Sequence, residues 1–320
     1  MNETNEPELE AMPELCSFES SEPAVFEPST YGEEARHGLA VFVDYDAFRG
    51  ISDGTWGNNG IRTGLNYGTA LGAISDATGI GFQAGASVGV YNWSGTDYRP
   101  TDQNRAQTQG FITYGFFHRA HDDSKWSAAL VQDWMLNDNF GIYAQDPTLS
   151  QFRAQLGYAT GEWDELGVWG TWRILDDTRL VGPLPWDPTP VGPVLWRPYG
   201  HLSFFWHHKW EPNGADSWIW VGLPEQGRAG GSGTLGDYLV GASANVPLCD
   251  WLMLCTLLTY MHPSAGPGPA GSVEDHWNFT LGLSVYPRGD ARSPTLAGRR
   301  WMPLLPVANN GYFLVDTDHY

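Results

Sequence analysis

The sequence predicts an all-β chain: an antiparallel, up-and-down, membrane-spanning β-barrel of about twelve strands. Three observations predict it. Residues 277–286, WNFTLGLSVY, alternate apolar side chains (Trp277, Phe279, Leu281, Leu283, Val285) with polar or small ones (Asn278, Thr280, Gly282, Ser284). That period of two marks a strand with one apolar and one polar face. The same alternation recurs in runs of about ten residues, longer than the five or six usual in soluble sheets. The connections between runs alternate long and short, as in barrels with tight turns at one rim and long loops at the other.

Composition fits this class. The chain is 14% aromatic and 17% charged, with 16 Trp, 14 Tyr and 39 Gly. Interfacial girdles of a barrel use Trp and Tyr, although a carbohydrate-binding surface does so too. No apolar run reaches the roughly 18 residues of a helical span; residues 251–261 come nearest and are too short. A net charge of −20 argues against nucleic acid as a partner, because phosphate binding needs clustered Lys and Arg. Much of the acidity lies in residues 1–36, from Glu3 to Glu34, and reads as a solvated, disordered tail rather than an acidic docking arm. The first ten residues are polar and acidic, unlike a signal peptide, so an exported barrel requires that a leader has been removed. Cys16, Cys249 and Cys255 read as unpaired; the six extended residues between the last two hold them about 20 Å apart, beyond disulfide reach.

The strands follow in order. In 37–49, Leu39, Val41, Val43 and Tyr45 face one way while Asp44 and Asp46 face the other. After the loop GISDGTWGNNG, strand 61–71 presents Arg62, Gly64, Asn66 and Gly68 on its polar side, and 72–79 is a short turn. Strand 79–93 alternates most cleanly, setting Ile80, Phe82, Ala84 and Ala86 against Gly81, Gln83, Gly85 and Ser87. A loop at 94–106 leads into strand 108–119, and the turn HDDSK into 126–137. Residues 138–147 connect to 149–160, with Phe152, Ala154, Leu156 and Tyr158 outward and Arg153, Gln155 and Gly157 inward. Strand 165–175 opposes Val168 and Trp172 to Trp169, Thr171 and Arg173. The longest loop, 176–198, is Pro-rich and carries Trp186 and Trp196, for which glycan stacking is one use.

Strand 199–210 sets Leu202, Phe204 and Trp206 outward, with His201, Ser203 and His207 inward. The turn EPNGAD, strand 217–223, a Gly-rich loop, strand 235–246, the turn PLCD, strand 251–262 and a last long loop precede the closing strand. Trp126, Trp134, Trp172, Trp206, Trp251 and Trp277 fall near strand ends, where girdles lie. Barrel residues thus span 37–287, with six long loops at one rim and both termini at the other, periplasmic rim. A soluble sandwich gives the same alternation; strand length, loop alternation and aromatic load favour the membrane barrel.

Four segments carry a resemblance to a family: DELGVWGTWR (164–173), WHHKWEPNGADSWIWVGLPE (206–225), LGLSVYPRGDAR (281–292) and RRWMPLLPVANNGYFLVDT (299–317). The chain resembles, over roughly 40–317, an uncharacterised family of planctomycete outer-membrane barrel proteins. The resemblance implies export and a barrel. It implies no activity, and no functional residue is carried over.

The candidate lumen charges are Asp44, Asp46, Arg62, Asp133, Arg153, Arg173 and Asp237, with His201 and His207 nearby. Opposed charges at a constriction sort polar solutes in a pore; in a filled interior the same groups pair with each other. The C-terminal segment, 288–320, brings Arg288, Arg292, Arg299 and Arg300, then Trp301 and an apolar stretch that disorder does not predict. It has three uses open to it: plugging the lumen, packing beneath the barrel, or docking a periplasmic or envelope protein.

Catalytic motifs are poor. GASVG at 85–89 lies in mid-strand rather than at a nucleophile elbow. GSGTLG at 231–236 precedes no helix that could cradle phosphate. His201 and His207 lack further ligands for a metal. The expectation is no enzyme, no metal and no cofactor. It is an outer-membrane channel, surrounded by lipid, for passive diffusion of small polar solutes, with oligomeric state open. The alternative is a structural or adhesion barrel whose loops and C-terminal segment contact other envelope components.

Overall fold

The computed structural model describes residues 36–50, 57–92, 106–121, 123–141, 143–184, 187–224, 226–228, 231–234, 236–263, 276–288, 291–293 and 295–319. The acidic segment, Cys16 and Trp186 lie outside them. Twelve antiparallel strands close into a barrel. They are β1 (His37–Arg49), β2 (Asn58–Ala70), β3 (Ile80–Tyr91), β4 (Gln107–His118), β5 (Trp126–Asp138), β6 (Thr148–Ala159) and β7 (Asp164–Leu175). Two further strands, β8 (Asp177–Leu184) and β9 (Asp187–Pro198), leave the ring before β10 (His201–Trp210) and β11 (Ala215–Pro224) rejoin it. A short ribbon, β12 (Gln226–Arg228) and β13 (Gly231–Thr234), precedes β14 (Gly236–Pro247), β15 (Leu252–Pro263) and β16 (His276–Val285). Closure is by β1 on β16, with Asp44 opposite Gly282 and Asp46 opposite Thr280. A closed ring leaves no unpaired sheet edge, the condition for crossing lipid with strands. Among the described residues no helix is long and apolar enough to cross a membrane.

The alternation read from the sequence sets which face is which. Val41, Val43, Leu65, Leu130, Leu156 and Phe204 are all exposed, while Asp44, Asp46, Gln83, Asp133 and Arg153 are buried. The apolar face is therefore outside and the polar face inside, the reverse of a soluble barrel and the arrangement lipid demands. Trp126, Trp172, Trp206 and Trp251 also stand exposed on the outer face. Cys249 and Cys255 are both free.

Three connections differ from expectation. The 72–79 turn contains a short helix, α1 (Ala73–Thr78), closed by Gly79 in the left-handed region at φ 70°. The long 176–198 loop is a β8–β9 hairpin, and the Gly-rich loop holds the β12–β13 ribbon. Trp196, placed in an open loop by sequence reading, is fully buried against Tyr143 and the apolar cluster at that end of the barrel, so it offers no face to a glycan.

The largest difference is at the C-terminus. Both termini were expected at the rim of short turns, where β1 begins and β16 ends. Instead the last strand, β17 (Val315–His319), pairs with β9, Val315 opposite Pro198 and Thr317 opposite Trp196. This makes a three-stranded β17–β9–β8 sheet at the rim of long loops. Between β16 and β17 the chain runs along the inside of the barrel from one rim to the other. Local periodicity cannot report this, because the partner of residues 315–319 lies more than a hundred positions upstream.

Candidate functional site

The lumen is organised by the segment 301–314 running through it. Near the short-turn rim, Arg119 Nε donates to the Met302 carbonyl at 2.8 Å and its Nη2 to the Pro303 carbonyl at 2.5 Å. One step deeper, Gln83 on β3 grips both sides of the chain. Its Nε2 donates to Leu305 O at 2.9 Å, and its Oε1 accepts from the Leu304 and Leu305 amides at 3.0 and 3.2 Å. Asn66 also donates to Leu305 O. At mid-barrel, Arg153 Nη2 donates to Pro306 O at 2.7 Å, Arg62 Nη1 to Ala308 O at 3.1 Å, and the Ala308 amide to Thr113 Oγ1 at 3.0 Å. Toward the long-loop rim, Gln151 donates to Tyr312 O and the Tyr199 amide to Leu314 O. Irregular backbone survives in a membrane barrel only where protein satisfies its polar groups. Inward Arg, Gln, Asn and Thr side chains do so here.

Space for the segment comes from inward glycines. A Cβ on Gly68 would stand 2.4 Å from Trp301 O, and one on Gly85 would stand 2.5 Å from Val307 Cγ2. Side chains there would collide with the segment, so the small residues of β2 and β3 mark its track.

Most candidate lumen charges pair with each other. Arg62 forms a two-pronged ion pair with Asp44, at 3.1 and 2.7 Å. Arg153 and Asp133, both fully buried, meet at 3.0 Å, and Tyr312 lies under the Arg153 guanidinium at 4.4 Å. Asp46 accepts instead from Asn278, Tyr91, Thr280 and Asn310. His207 Nδ1 lies 3.1 Å from Glu165 Oε2, its ring stacked on Trp218; Glu165 also accepts from Ser127. His201 is buried between Ser203 Oγ and the Trp169 ring.

Arg173 is not among them. It is exposed and pairs at 3.4 Å with Asp176. The reason is register: β10 begins opposite Thr171, so β7 beyond that point has lost its neighbour and no longer faces the packed lumen. The Asp237 side chain lies outside the described residues.

The arginines of the C-terminal segment stay near the short-turn rim. Arg288 contacts His37, Arg292 pairs with Asp250, Arg299 donates to Ala291 O and packs over Tyr286, and Arg300 lies over the buried Trp301. The stretch inside the barrel, LLPVANNGYFL, carries no charge. A neutral segment suits a lumen whose charges are already paired, since an added buried charge without a partner is costly.

Most hydrogen bonds to the segment come from β1 to β6, with further contacts from β16 and, through Tyr312, from Trp169 of β7. A cavity of about 300 Å³ remains beside it in the lumen, lined in part by Gln155, Glu165, His207, Lys209, Asp216 and Trp218. Trp169, Phe205, Trp220 and Leu257, with Tyr312 against them, form an apolar cluster bordering it. Lys209 donates to Ser293 O and pairs with Asp216 at 3.5 Å. Glu165, Lys209 and Asp216 were missed by sequence reading. The signal existed: Lys209 has the same strand parity as His201 and His207, and Glu165 that of Trp169 and Thr171. Among the described residues no group of three or more His, Cys, Asp or Glu is placed to hold a metal ion.

A model described as "Family of unknown function (DUF6666)" matches residues 38–315. No curated protein matches the chain. Solved structures similar to it include an outer-membrane channel from Pseudomonas putida F1, 8% identical, covering 82% of this chain and 99% of that one, with a TM-score of 0.47. Others are a TodX monoaromatic hydrocarbon channel mutant (10% identical, 78% and 89% covered, TM-score 0.44) and the NanC porin (10% identical, 77% and 98% covered, TM-score 0.41).

Proposed function

The chain belongs to the family of unknown function DUF6666, and we propose that it is an outer-membrane barrel of the channel type for small polar solutes, its lumen occupied by its own C-terminal segment as a plug. The apolar outer face and polar interior support a place in the membrane. Facing the short turns to the periplasm puts the β8–β9–β17 sheet on the outer side. The observation that carries the channel reading is the cavity of about 300 Å³, with charged side chains in its lining, left beside segment 301–314. A barrel serving only as a wall plug has no need of a space lined by Lys209, Glu165, Asp216 and His207. The reading assigns no catalytic step.

Single-channel recording of the folded chain in a planar bilayer tests it, alongside Asn310→Ala, which releases one grip on the plug. Steps from the intact chain mean that solute passes beside the segment. Steps only from the variant mean that the segment closes the pore. Silence from both, with folding verified by heat-modifiable gel mobility, overturns the channel reading. It then favours a structural role, for which the β17–β9–β8 sheet beyond the ring is the supporting feature.

A further inference from the structure

One carboxylate stands on the outer face of the barrel with no Lys or Arg paired to it. At the short-turn rim β10 lies beside β7 with His208 opposite Asp164. Both side chains point outward: Asp164 shares the strand parity of the exposed Leu166 and Val168, and His208 that of the exposed Phe204 and Trp206. Asp164 Oδ1 accepts twice, from Trp206 Nε1 and from His208 Nδ1, each at 2.8 Å. Its Oδ2 has no partner among the described residues, and the side chain is 39% exposed. Lys209, next to His208 in the chain, faces the lumen instead and pairs there with Asp216.

Aromatic rings surround this oxygen. Trp163, Trp206 and Trp210 are all exposed, and the His208 ring lies 5.6 Å from that of Trp206 and 4.5 Å from that of Trp210. The two β10 indole N–H groups are already engaged, one by Asp164 and the other by Ser217. What those rings offer outward is their π faces, which attract cations. With its Nδ1–H on Asp164, His208 keeps only an acceptor at Nε2. The two flanking turns, 160–163 and 211–214, contribute Glu162 and Glu211 and no basic residue.

The patch therefore presents negative charge, acceptors and π faces together, at the strand ends where Trp girdles meet lipid headgroups. A cation rich in N–H donors fits it. A primary ammonium satisfies all three features; a trimethylammonium has no N–H to donate, and an anionic headgroup meets like charge.

We infer that the patch of Asp164, His208, Trp206 and Trp210 binds the headgroup of an ethanolamine phospholipid, its ammonium on Asp164 Oδ2 and against the indole faces. The site goes beyond the channel reading. It requires a barrel in lipid, whether or not the lumen conducts.

The test is native mass spectrometry of the full, folded chain, with phosphatidylethanolamine, phosphatidylcholine and phosphatidylglycerol of the same acyl chains added one at a time. The ethanolamine lipid is expected to bind about tenfold tighter than either of the others, in line with one hydrogen bond between charged groups. Asp164→Asn is expected to remove most of that preference while the heat-modifiable gel shift of the folded barrel is kept. Asp76→Asn is the control, since Asp76 is an exposed carboxylate at the same rim that already pairs with Arg36 at 2.6 Å; it is expected to leave all three affinities unchanged. Equal affinity of the wild-type chain for the ethanolamine lipid and either other lipid overturns the inference, as does an undiminished preference in a folded Asp164→Asn chain. Planar-bilayer recording reads conduction separately, so the site and the channel stand or fall independently.

Discussion

Asn310 donates to the Asp46 carboxylate at 3.1 Å, joining two residues 264 positions apart, one on the first strand and one in the lumen segment. Asp46 is fully buried and forms no direct ion pair among the described residues, although Arg62, bound to Asp44, lies within electrostatic reach of it. Its charge is spread over neutral donors: Tyr91 at 2.7 Å, Asn278 at 2.6 Å and Thr280 at 3.1 Å. Asn310 also donates to Gln109 Oε1, and its carbonyl lies 3.2 Å from His276 Nε2. The segment is therefore tied to β1, β4 and β16 at one level, close to where the barrel closes.

Asp46→Ala strands the Tyr91, Asn278 and Asn310 donors at once. A loss on the order of 3 kcal/mol is expected, since each unmatched buried donor costs roughly 1–3 kcal/mol and relaxation recovers part. Asp46→Asn, which keeps one acceptor oxygen, should lose less. Urea unfolding in liposomes followed by tryptophan emission measures both, and an Asp46→Ala chain as stable as wild type would refute this ordering.

Gly85→Val places side-chain atoms where Val307 packs. Overpacking of this kind costs about 1–3 kcal/mol, and the segment, held by side chains rather than by a sheet ladder, is the part able to give way. The expected result is faster proteolysis between residues 301 and 314 with the barrel itself intact. The same proteolysis rate as wild type would mean that the wall shifts instead.

The Arg153–Asp133 pair gives a sharper contrast. Removing one partner, as in Asp133→Leu, leaves a buried guanidinium uncompensated and should cost about 3–5 kcal/mol. The double change Asp133→Leu with Arg153→Met should recover much of that loss, because neither charge remains. Full recovery is not expected, as Arg153 also holds Pro306 O. A double-mutant cycle on unfolding free energies reads the coupling.

Leu65, in the middle of β2 and 47% exposed, tests the membrane face. Leu65→Arg should cost about 2–4 kcal/mol in a bilayer, with a smaller effect near the rims. Leu136→Arg, near the end of β5 and likewise exposed, serves as the rim control. Equal effects of the two would contradict a lipid contact at Leu65.

The ring of strands was legible because barrel strands are long and their alternation strict. Each of the twelve was located from its own residues, and parity alone put Asp44, Arg62, Arg153, His201 and His207 inside. Parity had no means of showing that β7 outruns its neighbour at Thr171, so Arg173 was assigned inward by a rule that holds only where both flanking strands are present. The glycines at 68 and 85 signalled room in the lumen without naming what fills it. Asn310 and Gln83 look like ordinary polar residues until the segment and the wall are brought together.

The sequence by itself determined the strand count, the two faces and the pool of inward charges, because these follow from a period of two within ten contiguous residues. Only the tertiary structure decided the rest: which charges pair, that residues 301–314 run through the lumen, and that β17 pairs beyond it. Those depend on contacts between residues up to 264 positions apart. No local period carries that information. It is settled by which inward donors find the carbonyls of a neutral segment once the ring has closed.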